Sequence, residues 1–251
     1  MVKALVIGEL CTDRFVYCKI TRLCPEAPVP VLNPVETKEN SGMSGNVVEN
    51  LLSLTKDIDV VHWHQFEKIE KTRFVEKKSN QMITRVDEGE IKKCSPLSFL
   101  SPKQKKTIAK SDFIIISDYE KGYLTENMIT EISSISPLTI MDTKKKLNGS
   151  MIKDINFIKL NEHEYENNRE LAEMYPEKFI ITLGSEGCSY NGKVYPSNSP
   201  KETIDVSGAG DTFTASFILK YHETKNIDES LMFANDMSSI VVSKRGVSTP
   251  K

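Results

Sequence analysis

Within the 251 residues, one stretch carries the residue types that hold a phosphoryl group and move a proton: Ile204-Asp205-Val206-Ser207-Gly208-Ala209-Gly210-Asp211-Thr212. Gly208 and Gly210 allow a turn in which backbone N–H groups converge. Phe213, Phe217, Ile218 and Tyr221 follow at helical spacing, so the turn opens a helix whose dipole favours negative charge. Asp211 falls in the first turn of that helix. The dipole there favours its ionised form, which can take a proton from an attacking hydroxyl. The same residues also suit an ordinary helix start with Asp as a capping residue.

Asn161 and Glu164 follow the strand-like run Ile155 to Leu160, at the place where ligands collect beyond the carboxyl ends of parallel strands. A carboxylate there can hold magnesium through water, and a helix cap followed by surface acids reads equally well. Thr182, Gly184 and Gly187 allow close backbone approach to phosphates, or a plain hairpin turn. Arg14, Arg22, Arg73 and Arg85 all fall in the first 85 residues. Guanidinium forks suit a phosphate monoester and Lys121 adds a point charge, although each also suits a solvated surface. His62 and His64 share one face if their segment is a strand, yet no third ligand follows at zinc spacing, which favours a structural role. Lys144 to Lys146 reads as a solvated charged run.

The elements that must position these residues are legible from the apolar pattern. Runs at Val2 to Ile7, Ile58 to Trp63, Phe113 to Ile116, Leu138 to Met141, Ile155 to Leu160 and Phe179 to Leu183 read as buried strands. Val47 to Leu54 and Asn127 to Ile135 have helical spacing between them. Strand and helix in alternation predict an α/β domain with a largely parallel sheet. Two regions depart from the rhythm. Phe15 to Thr37 carries Pro25, Pro28, Pro30 and Pro34, which is wrong for a helix or a central strand and predicts edge strands standing off the main sheet. Thr72 to Lys77 and Gln81 to Val86 alternate around Ser79-Asn80 and predict a hairpin. Together they predict a small β-lid.

Composition excludes several classes. Lys plus Arg total 33 against 35 Asp plus Glu, a formal charge of −2, without the basic excess of a nucleic-acid binder. No apolar run approaches the roughly 18 residues of a membrane span, and Glu9 interrupts any signal-peptide pattern, so a cytoplasmic protein that uses neither membrane nor nucleic acid is expected. The five cysteines form no C-x-x-C pair and read as reduced thiols. Gly8-Glu9-Leu10-Cys11-Thr12-Asp13 lacks the dinucleotide fingerprint, and no Walker motif occurs.

The Asp211 stretch resembles the signature of the PfkB carbohydrate kinases, the ribokinase-like family, whose catalytic Asp follows a Gly-Ala-Gly anion hole. Asp13 fits that family's sugar-binding Asp, and Ser41-Gly42-Met43-Ser44-Gly45-Asn46 fits its N-terminal signature. Arg22-Leu23-Cys24-Pro25-Glu26-Ala27-Pro28-Val29-Pro30-Val31 looks like the lid segment of the bacterial D-glycero-β-D-manno-heptose-7-phosphate kinases. Lys71-Thr72-Arg73-Phe74, Ser117-Asp118-Tyr119-Glu120-Lys121-Gly122, Asn161-Glu162-His163-Glu164 and Val241-Val242-Ser243-Lys244-Arg245-Gly246-Val247-Ser248-Thr249 resemble that subfamily's later segments, in its order.

The resemblance implies a ribokinase-like three-layer α/β domain spanning residues 1–251, with a mostly parallel central sheet and lid segments at about 15–37 and 72–88. It implies ATP and Mg2+ as cofactors. Asn161, Glu164, Thr182, Gly184 and Gly187 would lie along ATP, Asn235 near the adenine, and Glu164 would hold Mg2+ through water. Asp13, Gly42, Asn46 and Arg73 would hold a sugar phosphate, with Asp118 and Lys121 nearby. Asp211 would deprotonate the anomeric hydroxyl of the heptose 7-phosphate, while Gly208, Ala209 and Gly210 form the anion hole. The product would be the 1,7-bisphosphate, for nucleotide-heptose synthesis, and a homodimer would form through the lid. Two departures keep open a kinase for another sugar or sugar phosphate, or an inactive sugar- or nucleotide-binding homologue. Met43 interrupts the family's paired glycines, and the chain is short between Leu54 and Lys71 and between Glu164 and Phe179.

Overall fold

The β-branched runs form the strands of one large sheet, and the proline-rich region forms a second, smaller one. The computed structural model describes residues 1–90, 93–197, 205–244, 246 and 248–250. Ile204 of the Asp211 stretch, and Arg245 and Val247 of the C-terminal stretch, lie outside the described residues.

In chain order the elements are β1 (Val2–Gly8), β2 (Leu10–Leu23), β3 (Pro30–Met43), α1 (Ser44–Leu54), β4 (Ile58–Trp63), β5 (Glu70–Glu76), β6 (Met82–Glu88), α2 (Pro102–Lys110) and β7 (Phe113–Asp118). There follow α3 (Glu126–Ile135), β8 (Thr139–Thr143), α4 (Gly149–Ile152), β9 (Phe157–Asn161), α5 (Glu162–Met174), β10 (Phe179–Thr182), β11 (Cys188–Tyr190), β12 (Lys193–Tyr195), α6 (Ala209–Thr224) and α7 (Ile227–Val242). Among the described residues the large sheet has the order β12-β11-β10-β9-β8-β7-β1-β4. Its six strands from β10 to β4 are parallel, and β11 and β12 add an antiparallel edge.

Alternation along the strands divides the core between the two faces of the sheet. Leu5, Ile7, Ile114, Ile116 and Ile158 point to one side and pack with Ile108, Ile129, Ile132, Met151 and Ala172 of α2 to α5. Val6, Ile115, Ile140, Phe157 and Ile180 point to the other and pack with Val47 and Leu51 of α1, Phe213 and Phe217 of α6, and Leu231 of α7. The result is the expected three-layer α/β domain.

The lid departs from its expected bounds. Its sheet has the order β3-β2-β5-β6, and β2 and β3 reach back to Leu10 and forward to Met43, well beyond 15–37. Proline does not stop them. Pro25 and Pro28 lie in the connection, Pro30 begins β3, and Pro34 faces Cys18 at a register shift on the sheet's edge. Among the described residues β3 and β6 are the edge strands of this sheet; β2 is central, pairing parallel with β5. The hairpin β5–β6 forms as expected, with Asn80 in the left-handed region at φ 57°.

Met43, at the junction from lid to α1, also has positive φ (55°), a backbone position that favours glycine. The interrupted glycine pair therefore leaves a backbone strain held by the burial of the Met43 side chain, 4% exposed. One residue earlier, a Cβ on Gly42 would overlap Asp13 Oδ2 and Cys11 Sγ on the paired strand. Gly42→Ala is therefore expected to displace Asp13 and to cost about 1–3 kcal/mol of stability, the range of overpacking; thermal denaturation checks it, and an unchanged melting temperature would contradict the contact.

Candidate active site

The carboxyl ends of β1, β7, β8, β9 and β10 meet the N-termini of α1 and α6. Gly208 opens α6 in the left-handed conformation (φ 81°). The N–H groups of Gly210 and Asp211 lie in the first turn, where a helix leaves its N–H groups without intrahelical partners. The Ala209 N–H bends back to Val206 O at 3.2 Å, so in this state Ala209 contributes a closed turn to the anion hole.

Asp211 sits beside this turn, 5% exposed, and both its oxygens are held. Asn46 Nδ2, from the first turn of α1, donates to Oδ2 at 2.8 Å, and the Tyr119 hydroxyl donates to Oδ1 at 2.8 Å. Behind Asn46 a buried polar chain ties the helices together. Asn50 Nδ2 donates to Asn46 O at 2.8 Å, and Thr212 Oγ1 donates to Asn50 Oδ1 at 2.8 Å. The two separate sequence motifs thus close on one carboxylate.

The dipole argument alone misjudges that carboxylate. Burial, then the neighbouring Asp142, push the Asp211 pKa up to about 6, against the opposing donors Asn46 and Tyr119 and the nearby Lys159. It remains mostly ionised at pH 7, and it is a far better proton acceptor than a solvated aspartate. Tyr119 lies in the segment Ser117 to Gly122 singled out from the sequence, where Asp118 and Lys121 are expected near the sugar and Tyr119 has no expected role. It follows Asp118, and the turn that aims it needs Glu120 at φ 58° and Gly122 at φ 102°. Glu9, fully buried at the end of β1, pins that loop by accepting Tyr119 N at 2.8 Å and Tyr123 N at 3.1 Å. Burial, chiefly, raises the Tyr119 pKa well above its usual value, so the phenol stays a donor.

The other expected residues are distributed around this centre. Asp13 is 5% exposed and ion-paired with Arg73, whose guanidinium also lies 5.1 Å from the Phe15 ring centre. A lid cavity of about 430 Å³ adjoins them, lined by Phe15, Arg73, Arg85, Ser207 and Gly246 among others. Asp118 is buried in a different setting. It takes Lys145 Nζ at 2.6 and 2.7 Å and Thr143 Oγ1 at 2.8 Å, which corrects the reading of Lys144 to Lys146 as solvated. Lys144 Nζ, too, stands 4.6 Å from the Tyr119 ring centre. Lys121 pairs with Glu90 at 3.3 Å, and Lys71 joins the same carboxylate at 2.9 Å.

Thr182, Gly184, Gly187, Ala209, Gly210 and Asn235 line one cavity of about 200 Å³, walled also by Val206, Phe213 and Val242. Asn235 Nδ2 donates to Tyr195 O at 2.7 Å. The two glycines of the β10–β11 connection differ. Gly187 is required by the hairpin, because its Cβ would overlap Tyr195 O, whereas Gly184 (φ 57°) faces open space. Asn161 and Glu164 form a reciprocal capping box at 2.8 Å each way, so the cap is real. Glu164 is nevertheless 8% exposed, and burial raises its pKa, which is unlike a surface acid. His62 is held by Ser44 Oγ at 2.9 Å.

A buried carboxylate of raised pKa in the first turn of a helix, next in sequence to Gly210 on the wall of a cavity, has the chemistry to take a proton from a hydroxyl. The family model for "pfkB family carbohydrate kinase" matches residues 55–251. The bifunctional protein HldE of Helicobacter pylori is 32% identical over 302 aligned positions, covering 98% of this chain and 64% of that protein. The bifunctional protein HldE of a Nitratiruptor species is 28% identical, covering 98% and 63%. The chain thus spans just under two thirds of the length of these relatives. Among solved structures, Arabidopsis thaliana ribokinase complexed with ribose and ATP superposes with a TM-score of 0.71 at 14% identity, covering 98% of this chain and 94% of that one. The ribokinase of Thermotoga maritima gives 0.71 at 16%, covering 98% and 95%. The chain belongs to the pfkB family of carbohydrate kinases, phosphotransferases with an alcohol group as acceptor, and has the ribokinase-like fold.

With Asp211 as proton acceptor, which would have to be ionised, kcat/KM is expected to rise with pH through about 6 and then level. Asp142→Asn removes a repelling charge and is expected to move that limb to lower pH, whereas Tyr119→Phe removes a donor and moves it higher. Paired pH–rate profiles check both directions, and shifts of the same sign would contradict the arrangement.

Proposed function

We propose that the chain transfers the γ-phosphoryl group of ATP to the anomeric hydroxyl of D-glycero-β-D-manno-heptose 7-phosphate. The carrying observation is the convergence of Asn46 and Tyr119 on Asp211, which follows Gly210 of the apolar cavity, while the lid cavity lined by Arg73 takes in Ser207 of the same turn. In that geometry the nucleotide occupies the apolar cavity, with Asn235 and Phe213 around the base and Thr182 and Gly184 toward the phosphates. The sugar lies under the lid, where Asp13, Gly42 and Asn46 present polar groups to hydroxyls and Arg73 and Arg85 face its phosphate. The hydroxyl proton passes to Asp211, and the Gly208-Ala209-Gly210 turn meets the charge of the transferring group.

Among the described residues there is no group of three or more side chains that would bind a metal ion by themselves. The chemistry fits Mg2+ carried by the nucleotide phosphates, with Glu164 as a single carboxylate acting through water. When bound, that ion would neutralise phosphate charge. The likeness to HldE proteins and the lid sequence support the heptose phosphate as acceptor over other sugars.

A homodimer through the lid is part of the proposal. Leu23, Val29, Val35, Met82 and Val86 are exposed on the lid segments, a set of apolar side chains that suits a second copy. No described helix is long and apolar enough to cross a membrane, and the five cysteines are free, which fits a reducing cytoplasm.

The test is ATP turnover with heptose 7-phosphate, fructose phosphates, ribose and adenosine as acceptors, of which the heptose phosphate is expected to give the highest kcat/KM. Asp211→Asn is expected to leave ATP binding nearly intact and to cut turnover at least ~100-fold, the scale of a lost general base; unchanged turnover would remove Asp211 from the role. Arg73→Ala is expected to raise KM for the sugar phosphate far more than KM for ATP, and equal effects would contradict a sugar-phosphate site.

A further inference from the structure

Asp211 is sealed from solvent, 5% exposed, and each of its oxygens already takes a hydrogen bond. An acceptor hydroxyl can therefore reach the carboxylate only if a present neighbour gives way. Most of them are fixed. Asn46 is 2% exposed, and Asn50 Nδ2 donates to its backbone oxygen at 2.8 Å and to its Oδ1 at 3.2 Å, which locks it between α1 and α6. Lys159 Nζ stands where a Cβ on Gly210 would meet it at 2.9 Å, and it is tied to Asp142 Oδ2 at 2.8 Å.

Tyr119 is held differently, by its backbone. Glu9 accepts Tyr119 N and Tyr123 N, Asp118 Oδ1 accepts Glu120 N at 3.2 Å, and Cys94 N donates to Lys121 O at 2.7 Å, so the loop stays in place whatever the phenol does. The side chain is half-buried, with the exposed Lys144 reaching over its ring. Its hydroxyl lies 2.8 Å from Asp211 Oδ1, the distance at which a base takes a proton from an acceptor hydroxyl. The phenol nevertheless keeps its proton, since burial holds its pKa well above the usual value. It fills the place of an acceptor without reacting as one.

We propose that Tyr119 is the residue that selects a sugar hydroxyl over water: its own hydroxyl occupies Asp211 Oδ1 until the acceptor replaces it; this rests on the kinase reading given above. Water is the competing acceptor in any transfer from ATP, and a base open to it would promote hydrolysis. In that side reaction the bond from the γ-phosphorus to the β,γ-bridging oxygen breaks, and its electron pair leaves on ADP. A bond forms from the same phosphorus to the water oxygen, whose proton goes to Asp211, and inorganic phosphate results. A sugar bound under the lid is held by further contacts and can displace the phenol by rotating its side chain. A single water has only the one hydrogen bond to offer in exchange, so the phenol stays. Tyr119 transfers no proton in either case.

Tyr119→Phe keeps the ring and leaves room for a water beside Oδ1. The measurement is ADP release from ATP and Mg2+ with no acceptor present, at about pH 8, where an Asp211 pKa of about 6 leaves the carboxylate ionised. Tyr119→Phe is expected to melt within a few degrees of the wild type and to release ADP at least ~tenfold faster, as a general base opened to water would. Adding Asp211→Asn is expected to return the rate to the wild-type level, which ties the gain to that carboxylate. A merely structural role for Tyr119 gives no gain, because a loosened site turns over more slowly. A rise smaller than about tenfold, or one that survives Asp211→Asn, would overturn the proposal. Wild-type turnover on the acceptor panel tests the kinase reading separately: sugar phosphorylation by the wild type without faster hydrolysis in Tyr119→Phe would reject the selection against water and leave the kinase standing.

Discussion

The structure turns on one buried carboxylate. Asp211 is removed from water at the start of α6, where its charge is tolerable only because Asn46 and Tyr119 donate to it and the helix dipole and Lys159 oppose the repulsion of Asp142. Each partner comes from a different element. Asn46 requires α1 to begin directly after the lid, Tyr119 requires the turn after β7 to be pinned by Glu9, and Lys159 with Asp142 requires β8 and β9 side by side. Parallel strands bring all of these to one edge of the sheet, the end at which helices also begin.

Close packing explains why so few glycines suffice. Gly42 lets Asp13 lie against the lid strand, Gly208 turns the chain into α6, and Gly210 makes room for an ammonium. Position 43 carries Met in a backbone conformation that glycine would adopt freely, so strain is stored at the junction of lid and domain.

Much of this is legible in the sequence for physical reasons. The strands of a parallel sheet are buried on both faces, so their β-branched runs stand out, and β4 falls on its expected residues. The glycine turn before Asp211 and the Asn161 cap are readable because local backbone needs dictate residue type. What escapes is long-range. Tyr119 lies 92 residues from Asp211, and Lys159 lies 17 from Asp142, with no local pattern marking either contact. Lys145 looks solvated inside a run of three lysines, yet a carboxylate 27 residues away draws it inward. The lid's extent is hard to read because proline at an edge strand or bulge is compatible with pairing, and composition does not reveal which strand is the edge.

Asp211 is a buried carboxylate whose neighbours set its basicity, and the proposed role as a base depends on that. The direct measurement is an NMR titration of the aspartate carboxyl carbons, with the Asp211 resonance assigned by its disappearance in Asp211→Asn. A midpoint near 6 is expected in the protein without substrates. A midpoint at about 4 or below, that of a solvated aspartate, would contradict it.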